Sequence, residues 1–313
     1  MMSVKKYLKM ISPWNNMEEM PVAVYTLKKL LAFCVIYFIA AVVGEGIVIG
    51  GLTALGYDPL HGIMPDGNAA MLLQYYGFCI FLIGAIIYCK CIEKRQIKTM
   101  GFQKSIYDYL VGAGIAMILL VIIMGIACIT GGISYVGIYT KNDCAYVFAL
   151  LGGLMIQGAA EEALCRGFLM TSLLKKHSVW AAIFISSTAF AFPHFGTLFA
   201  AEFKYRVVGI INLYLVSVIF SLLALSRMNI WVSCGLHSVW NFLLYGIFGL
   251  ALSGSEANDA GIICFKVNGE NLLNGGMYGM EASIITTIIL GLTVVILWKY
   301  WSAQKMWREK DGI

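Results

Sequence analysis

Long apolar runs separated by short polar segments dominate this chain. A run of about 18 or more apolar residues is long enough to cross the hydrocarbon core as a helix. Eight are predicted, over roughly Leu30 to Leu55, Met71 to Cys89, Tyr107 to Thr130, Ala145 to Leu174, Val179 to His194, Val207 to Leu225, Ile230 to Leu252 and Ala282 to Trp298. The fifth is the shortest and meets Pro193 near its end. The predicted fold class is an all-α polytopic membrane protein with about eight transmembrane helices.

Residues 1–29 read as a cytoplasmic or interfacial segment, 30–298 as a single transmembrane domain, and 299–313 as a basic cytoplasmic tail. The start does not read as a cleaved signal peptide. Lys5, Lys6 and Lys9 are followed by "MISPWNNMEEMP" rather than by an apolar core and a small-residue cleavage site. No internal repeat or linker between soluble domains is evident.

Composition agrees with this pattern. Hydrophobic residues make up 60% of the chain and charged residues 12%, with a mean hydropathy of +0.81; a soluble chain carries about 25% charged residues. Placing both termini in the cytoplasm puts seventeen of the 22 lysines and arginines on the cytoplasmic side, as the retention of cations in cytoplasmic loops requires. The net charge of +5 then follows from topology, and no nucleic-acid partner is implied. The partners expected are the lipid bilayer and a peptide or protein at the membrane. Seven of the nine cysteines lie in or beside apolar runs and show no zinc-type spacing. Cys144 and Cys264 both fall outside, where a single bridge between them is compatible with their placement.

Candidate chemistry enters with "GAAEEALCRGF", residues 158 to 168, which sets three ionisable groups in an apolar helix. One charged side chain at the bilayer centre costs roughly 3 kcal/mol even on lenient scales, so such groups mark pairing or function. Glu162 and Arg166 are i and i+4 neighbours on one helical face, whereas Glu161 points about 100° away from Glu162. The pattern therefore expects a paired Glu162 and a Glu161 without a local partner. Either the three form a structural ion-pair cluster, or Glu161 takes up a proton or meets a partner on another helix.

Of the four histidines, His61 falls in the first outside loop and His177 beside Lys175 and Lys176 at a cytoplasmic helix end, and two lie deep in apolar runs. His194 closes "FAFPHFG", four residues after Phe190, with Pro193 expected to distort the helix and aim the imidazole. His237 and Asn241 in "HSVWN" share a face at i and i+4. Counted from the cytoplasmic helix ends at 1.5 Å per residue, Glu161 lies ~21 Å deep, His194 ~24 Å, His237 ~12 Å and Asn241 ~18 Å, all within a central zone.

A carboxylate and a histidine can together activate water. A second histidine and an amide can donate to the oxyanion formed when that water attacks a carbonyl. The set suits peptide-bond hydrolysis. No serine nucleophile elbow and no HExxH motif offers another hydrolytic route. Glu161, His194 and His237 would equally hold a zinc ion with an open water position, and the sequence leaves both versions standing.

Glu161-Glu162-x-x-x-Arg166, Phe190-x-x-x-His194 and His237-x-x-x-Asn241, in that order, resemble the three-motif signature of the CAAX-protease and bacteriocin-processing family, also called the Abi family of intramembrane proteases. The resemblance covers about residues 145 to 250. It implies that Glu161 is the general base, His194 its partner on the water, and His237 with Asn241 the oxyanion site. Glu162, Arg166 and Phe190 would be supporting. "EExxxRG" is more similar to bacterial members, implying a bacterial plasma-membrane location and a role in peptide or bacteriocin processing. Cys165 departs from the family by standing where an aromatic residue is expected.

Two further readings use the same residues. One is a non-catalytic immunity or scaffold member of the family; the other is a transporter with intramembrane charges as its ion path. No inverted repeat or pair of broken helices accompanies the latter. Elsewhere, Glu45 is expected near the outer interface, and Ser186, Ser187, Thr188, Asn212, Ser217 and Ser221 read as helix-packing residues. Asn268-Gly269, between apolar residues, predicts a small hairpin positioned to cover the site or guide a peptide.

Overall fold

The structure is a computed structural model; it describes residues 9–15, 19–65, 67–103, 105–139, 144–258 and 261–311. It is 75% helical, which confirms the all-α class. Among the described residues, seven helices are long and apolar enough to cross a membrane, making this a multi-pass membrane protein. They are α1 (Val22–Ala54), α2 (Asn68–Ile92), α3 (Ile106–Ile129), α4 (Cys144–Leu173), α5 (Val179–Ala200), α6 (Phe203–Arg227) and α8, which crosses over Ile284–Gln304 and ends at Asp311. The span expected over Ile230 to Leu252 is shorter. Its helix α7 (Trp231–Asn241) passes into a π-helical segment, Phe242–Ile247, and the chain then turns at Gly249, whose φ of +63° is left-handed.

The chain forms two compact units. The first comprises residues 1–103 and 156–186, the second 104–155 and 187–313, so α4 and α5 each run through both.

In the first unit, Tyr25, Lys29, Phe33, Ile36, Ala40 and Gly44 of α1 recur at three- and four-residue spacing and are buried. Leu31, Val35, Phe38, Ile39 and Val42 on its other flanks are exposed, as lipid-facing side chains must be. Glu45 is exposed as well.

In the second unit, Ser105 caps α3 by accepting from the Asp108 backbone N–H at 3.2 Å. Helices α3 and α7 pack backbone to backbone. A Cβ added at Gly112 would lie 1.9 Å from the Val232 carbonyl oxygen, and one at Gly235 would lie 2.0 Å from that of Tyr109. Two glycines thus permit the small-residue contact by which apolar helices associate without a hydrophobic driving force. Ser217 donates to Ser187 at 2.8 Å, and Asn212 reaches the carbonyls of Glu281 at 2.8 Å and Ser283 at 3.0 Å, fulfilling the packing roles expected of them.

The predicted hairpin at Asn268-Gly269 is replaced by a long-range pairing. Strands β1 (Ile133–Ile138) and β2 (Ile263–Val267) are antiparallel, with Ile133 opposite Val267 and the rings of Tyr135 and Phe265 6.0 Å apart. Asn268 closes the end of this ladder instead of a turn, donating to the Gly131 carbonyl at 3.1 Å and to Ser134 Oγ at 2.7 Å. All nine cysteines are free thiols, so Cys144 and Cys264 form no bridge.

Candidate active site

Each of the three motifs sits where α-helical geometry breaks. Glu161 and Glu162 end the α-helical part of α4, and a π-helical segment, Ala163–Met170, begins at the next residue. His194 closes a 3-10 turn, Phe192–His194, inside α5. Asn241 is the last α-helical residue before the π segment of α7. Such interruptions re-aim side chains and release backbone groups, which is why they gather at functional positions. Only the break at Pro193 had a sequence signal.

In the first unit, Arg166 Nη1 donates to Glu162 Oε1 at 2.9 Å, and both side chains are fully buried. The pair expected from the i, i+4 spacing is present. Glu161 differs from its neighbour by being only partly buried. It also has a local partner that the sequence reading missed: Gln157 Nε2 donates to Glu161 Oε1 at 3.2 Å. The i−4 spacing makes that contact legible in principle. The π turn frees the Cys165 carbonyl to accept from Ser186 Oγ at 2.8 Å. A Cβ at Gly167 would meet the Met100 carbonyl oxygen at 3.0 Å, so the motif glycine seats α4 closely on that loop.

In the second unit, His194 Nδ1 lies 3.1 Å from the Phe190 carbonyl oxygen. A carbonyl only accepts, so Nδ1 carries the proton of this contact and Nε2 is the ring nitrogen left for other partners. Phe190 also joins the two histidines. Its ring centroid is 5.3 Å from that of His194 and 5.8 Å from that of His237.

His237 is 5% exposed and stacks on Phe220 at 5.0 Å with an 18° interplanar angle. Phe220 itself meets the Phe190 ring edge-on at 5.9 Å, and its carbonyl accepts from Ser233 Oγ at 2.7 Å. Asn241, one turn after His237, is buried too.

Two supporting residues escaped the sequence reading. Phe220 is one of 17 phenylalanines and carries no local motif. Glu281 accepts from Trp240 Nε1 at 3.3 Å, from the Ser253 backbone N–H at 2.6 Å and from Ser253 Oγ at 3.1 Å, tying the loop after α7 to the residue beside Asn241. The other two histidines lie elsewhere: His61 is exposed beside Asp58 at 2.8 Å, and His177 Nε2 is 2.6 Å from Thr26 Oγ1. Among the described residues, no group of three histidine, cysteine, aspartate or glutamate side chains is arranged to hold a metal ion.

Residues 143–243 match the family described as Type II CAAX prenyl endopeptidase Rce1-like. The matched segment contains all seven candidate residues, from Glu161 to Asn241, and bears out the resemblance carried by the three motifs. No curated protein matches the chain. The family is one of proteases, which supports a CAAX-type intramembrane protease function.

Proposed function

We propose that this protein is an intramembrane endopeptidase that hydrolyses a peptide bond of a membrane-associated peptide or protein, with Glu161, His194, His237 and Asn241 as its catalytic residues. The setting proposed with it is a bacterial plasma membrane, with both termini cytoplasmic. The observation that carries the reading is the contrast within the glutamate doublet. Glu162 is fully buried against Arg166, whereas Glu161 is partly exposed and held by the uncharged amide of Gln157.

In the proposed reaction Glu161 takes a proton from the attacking water, and the Nε2 lone pair of His194 orients that water. The new C–O bond places negative charge on the former carbonyl oxygen, which receives hydrogen bonds from His237 and the Asn241 amide. Collapse of this intermediate breaks the C–N bond, and the proton held by Glu161 passes to the leaving amine. A general base of this kind is worth about 10²- to 10⁴-fold in rate. Each oxyanion donor contributes about 3 to 4 kcal/mol to the transition state. The stack on Phe220 and the anchoring of Trp240 by Glu281 support such a role, because donors fixed in advance need no reorganisation when charge develops.

The test compares Glu161→Gln and Glu162→Gln in cells by mass spectrometry of membrane and secreted peptides. Glu161→Gln should abolish one specific cleavage at normal protein levels. A peptide profile unchanged by Glu161→Gln would overturn the assignment.

A further inference from the structure

Glu281 lies in a 3-10 turn, Met280–Ala282, just before α8, and outside the segment 143–243 that matches the family. Its carboxylate is shared between two anchors of the second unit. Oε1 accepts from Trp240 Nε1 at 3.3 Å, while Oε2 accepts from the Ser253 backbone N–H at 2.6 Å and from Ser253 Oγ at 3.1 Å. Its backbone carbonyl accepts from Asn212 Nδ2 of α6 at 2.8 Å. Both side-chain anchors are donors. A carboxylate meets them with an oxygen on each side, whereas an amide would set its own N–H groups against one of them.

The first anchor leads to α7. Trp240 is 4% exposed and stands three residues after His237, with Asn241 four residues after it, so the three share one helical face. Holding the indole therefore sets the rotation of the face that presents His237 and Asn241.

The second anchor leads to α5. Ser253 has a φ of +51°, a left-handed backbone that a residue with a side chain adopts only where its surroundings over-determine it. Here its backbone N–H and its hydroxyl converge on one oxygen of Glu281. The next residue, Gly254, has a φ of +80° and fills a narrow gap: a Cβ there would lie 3.0 Å from the Tyr278 ring and 3.1 Å from Thr197 Cβ. Its N–H donates to the Tyr278 carbonyl at 3.3 Å. Thr197 belongs to α5, and its Oγ1 donates to the His194 carbonyl at 3.1 Å. One carboxylate thus joins the helix of His194 to the helix of His237 and Asn241.

We propose that Glu281 is a positioning residue of the peptidase: by pinning Trp240 and the strained Ser253–Gly254 step together, it sets Asn241 and His237 in place relative to His194. The inference rests on the peptidase reading above. Glu281 does not touch the reacting atoms; it acts through Trp240 on one side and through Ser253 on the other. Such a strut matters because hydrogen-bond donors to a developing oxyanion lose most of their value when they are misplaced by about 1 Å.

The test uses the purified full chain in detergent and the peptide whose cleavage separates wild type from Glu161→Gln. Glu281→Gln, Trp240→Phe and the double variant are compared by kcat, KM, unfolding midpoint and the ¹⁵N side-chain amide signals of Asn241. Each single change should lower kcat about tenfold and leave KM within about twofold. The double variant should be no slower than the slower single one, because both changes break the same contact. The Asn241 signals should move in both. Ser253→Ala deletes only the hydroxyl donor, keeps the backbone N–H bond and should lower kcat about threefold at an unchanged midpoint, which preserves the test if Glu281→Gln fails to fold.

Losses that multiply in the double variant overturn action through Trp240. An unchanged kcat, or Asn241 signals that stay in place, overturns the positioning role. The amide signals are read without substrate, so they judge Glu281 independently. Cleavage that survives Glu161→Gln overturns the peptidase assignment alone.

Discussion

His194 donates its Nδ1 proton to the carbonyl of Phe190, one turn earlier in the same helix, at 3.1 Å. The bond forms where Pro193 has tightened α5 into a 3-10 turn. It fixes the tautomer without any second charged group, and the Phe190 ring in turn touches His237. One residue therefore orients one histidine through its backbone and packs against the other through its side chain.

Replacing Pro193 tests this arrangement. Pro193→Ala returns a backbone N–H and relaxes the steric demand for the tight turn. The expected result is a folded protein whose cleavage rate falls about tenfold to a hundredfold, because small misplacements of a catalytic group are costly. A single-turnover assay on the variant checks it, and an unchanged rate would separate the turn from the chemistry.

The two glutamates of the doublet should fail in different ways. Glu162→Gln removes the carboxylate that pairs with the buried Arg166 at 2.9 Å and should destabilise the fold by about 3 to 5 kcal/mol. Glu161→Gln, at a partly exposed position, should leave the unfolding midpoint within a few degrees of wild type while abolishing cleavage. Thermal unfolding in detergent beside a cleavage assay distinguishes the two; equal stability losses would mean both carboxylates are structural.

The contact between α3 and α7 predicts a steric failure. Gly235→Ala puts a methyl group where the Tyr109 carbonyl oxygen lies at 2.0 Å, so the backbones must separate. Overpacking of this kind costs about 1 to 3 kcal/mol or more, and it should shift His237, two residues along. A drop in unfolding midpoint together with reduced kcat is expected. Gly114→Ala, where a Cβ meets nothing within 4 Å, is the control that should do neither.

Alkaline pH should act through Tyr278, which lies in the segment before α8. Burial first, and then the nearby Glu281 carboxylate, raise its phenol pKa above the ordinary 10.0. The unfolded chain then ionises at lower pH than the folded one. Stability from this group is full below pH 10 and falls as pH rises above 10 toward the folded value. Unfolding midpoints measured from pH 8 to 11 should drop more steeply for wild type than for Tyr278→Phe. Parallel curves would show that Tyr278 does not carry the alkaline sensitivity.

What the sequence by itself determined is local. Apolar run length gave the all-α membrane class and all but one of the spans, because crossing a bilayer depends on consecutive residues. The i, i+4 rule gave the Glu162–Arg166 pair, and the same rule contained the Gln157–Glu161 contact that the reading passed over.

The tertiary structure decided whatever joins distant positions. β2 pairs with β1, well over a hundred residues away, rather than folding on itself at Asn268-Gly269. Lys28 and Lys29 read as topology-setting charges, yet they are buried in a cavity with Glu93. Phe220 supports His237 without any motif to announce it. Backbone geometry after the motifs belongs here too, since no propensity marks the π segments that follow Glu162 and Asn241. The physical reason is the same in each case: periodicity and spacing are properties of a chain segment, whereas burial, strand partners and ring stacks depend on which segments the fold brings together.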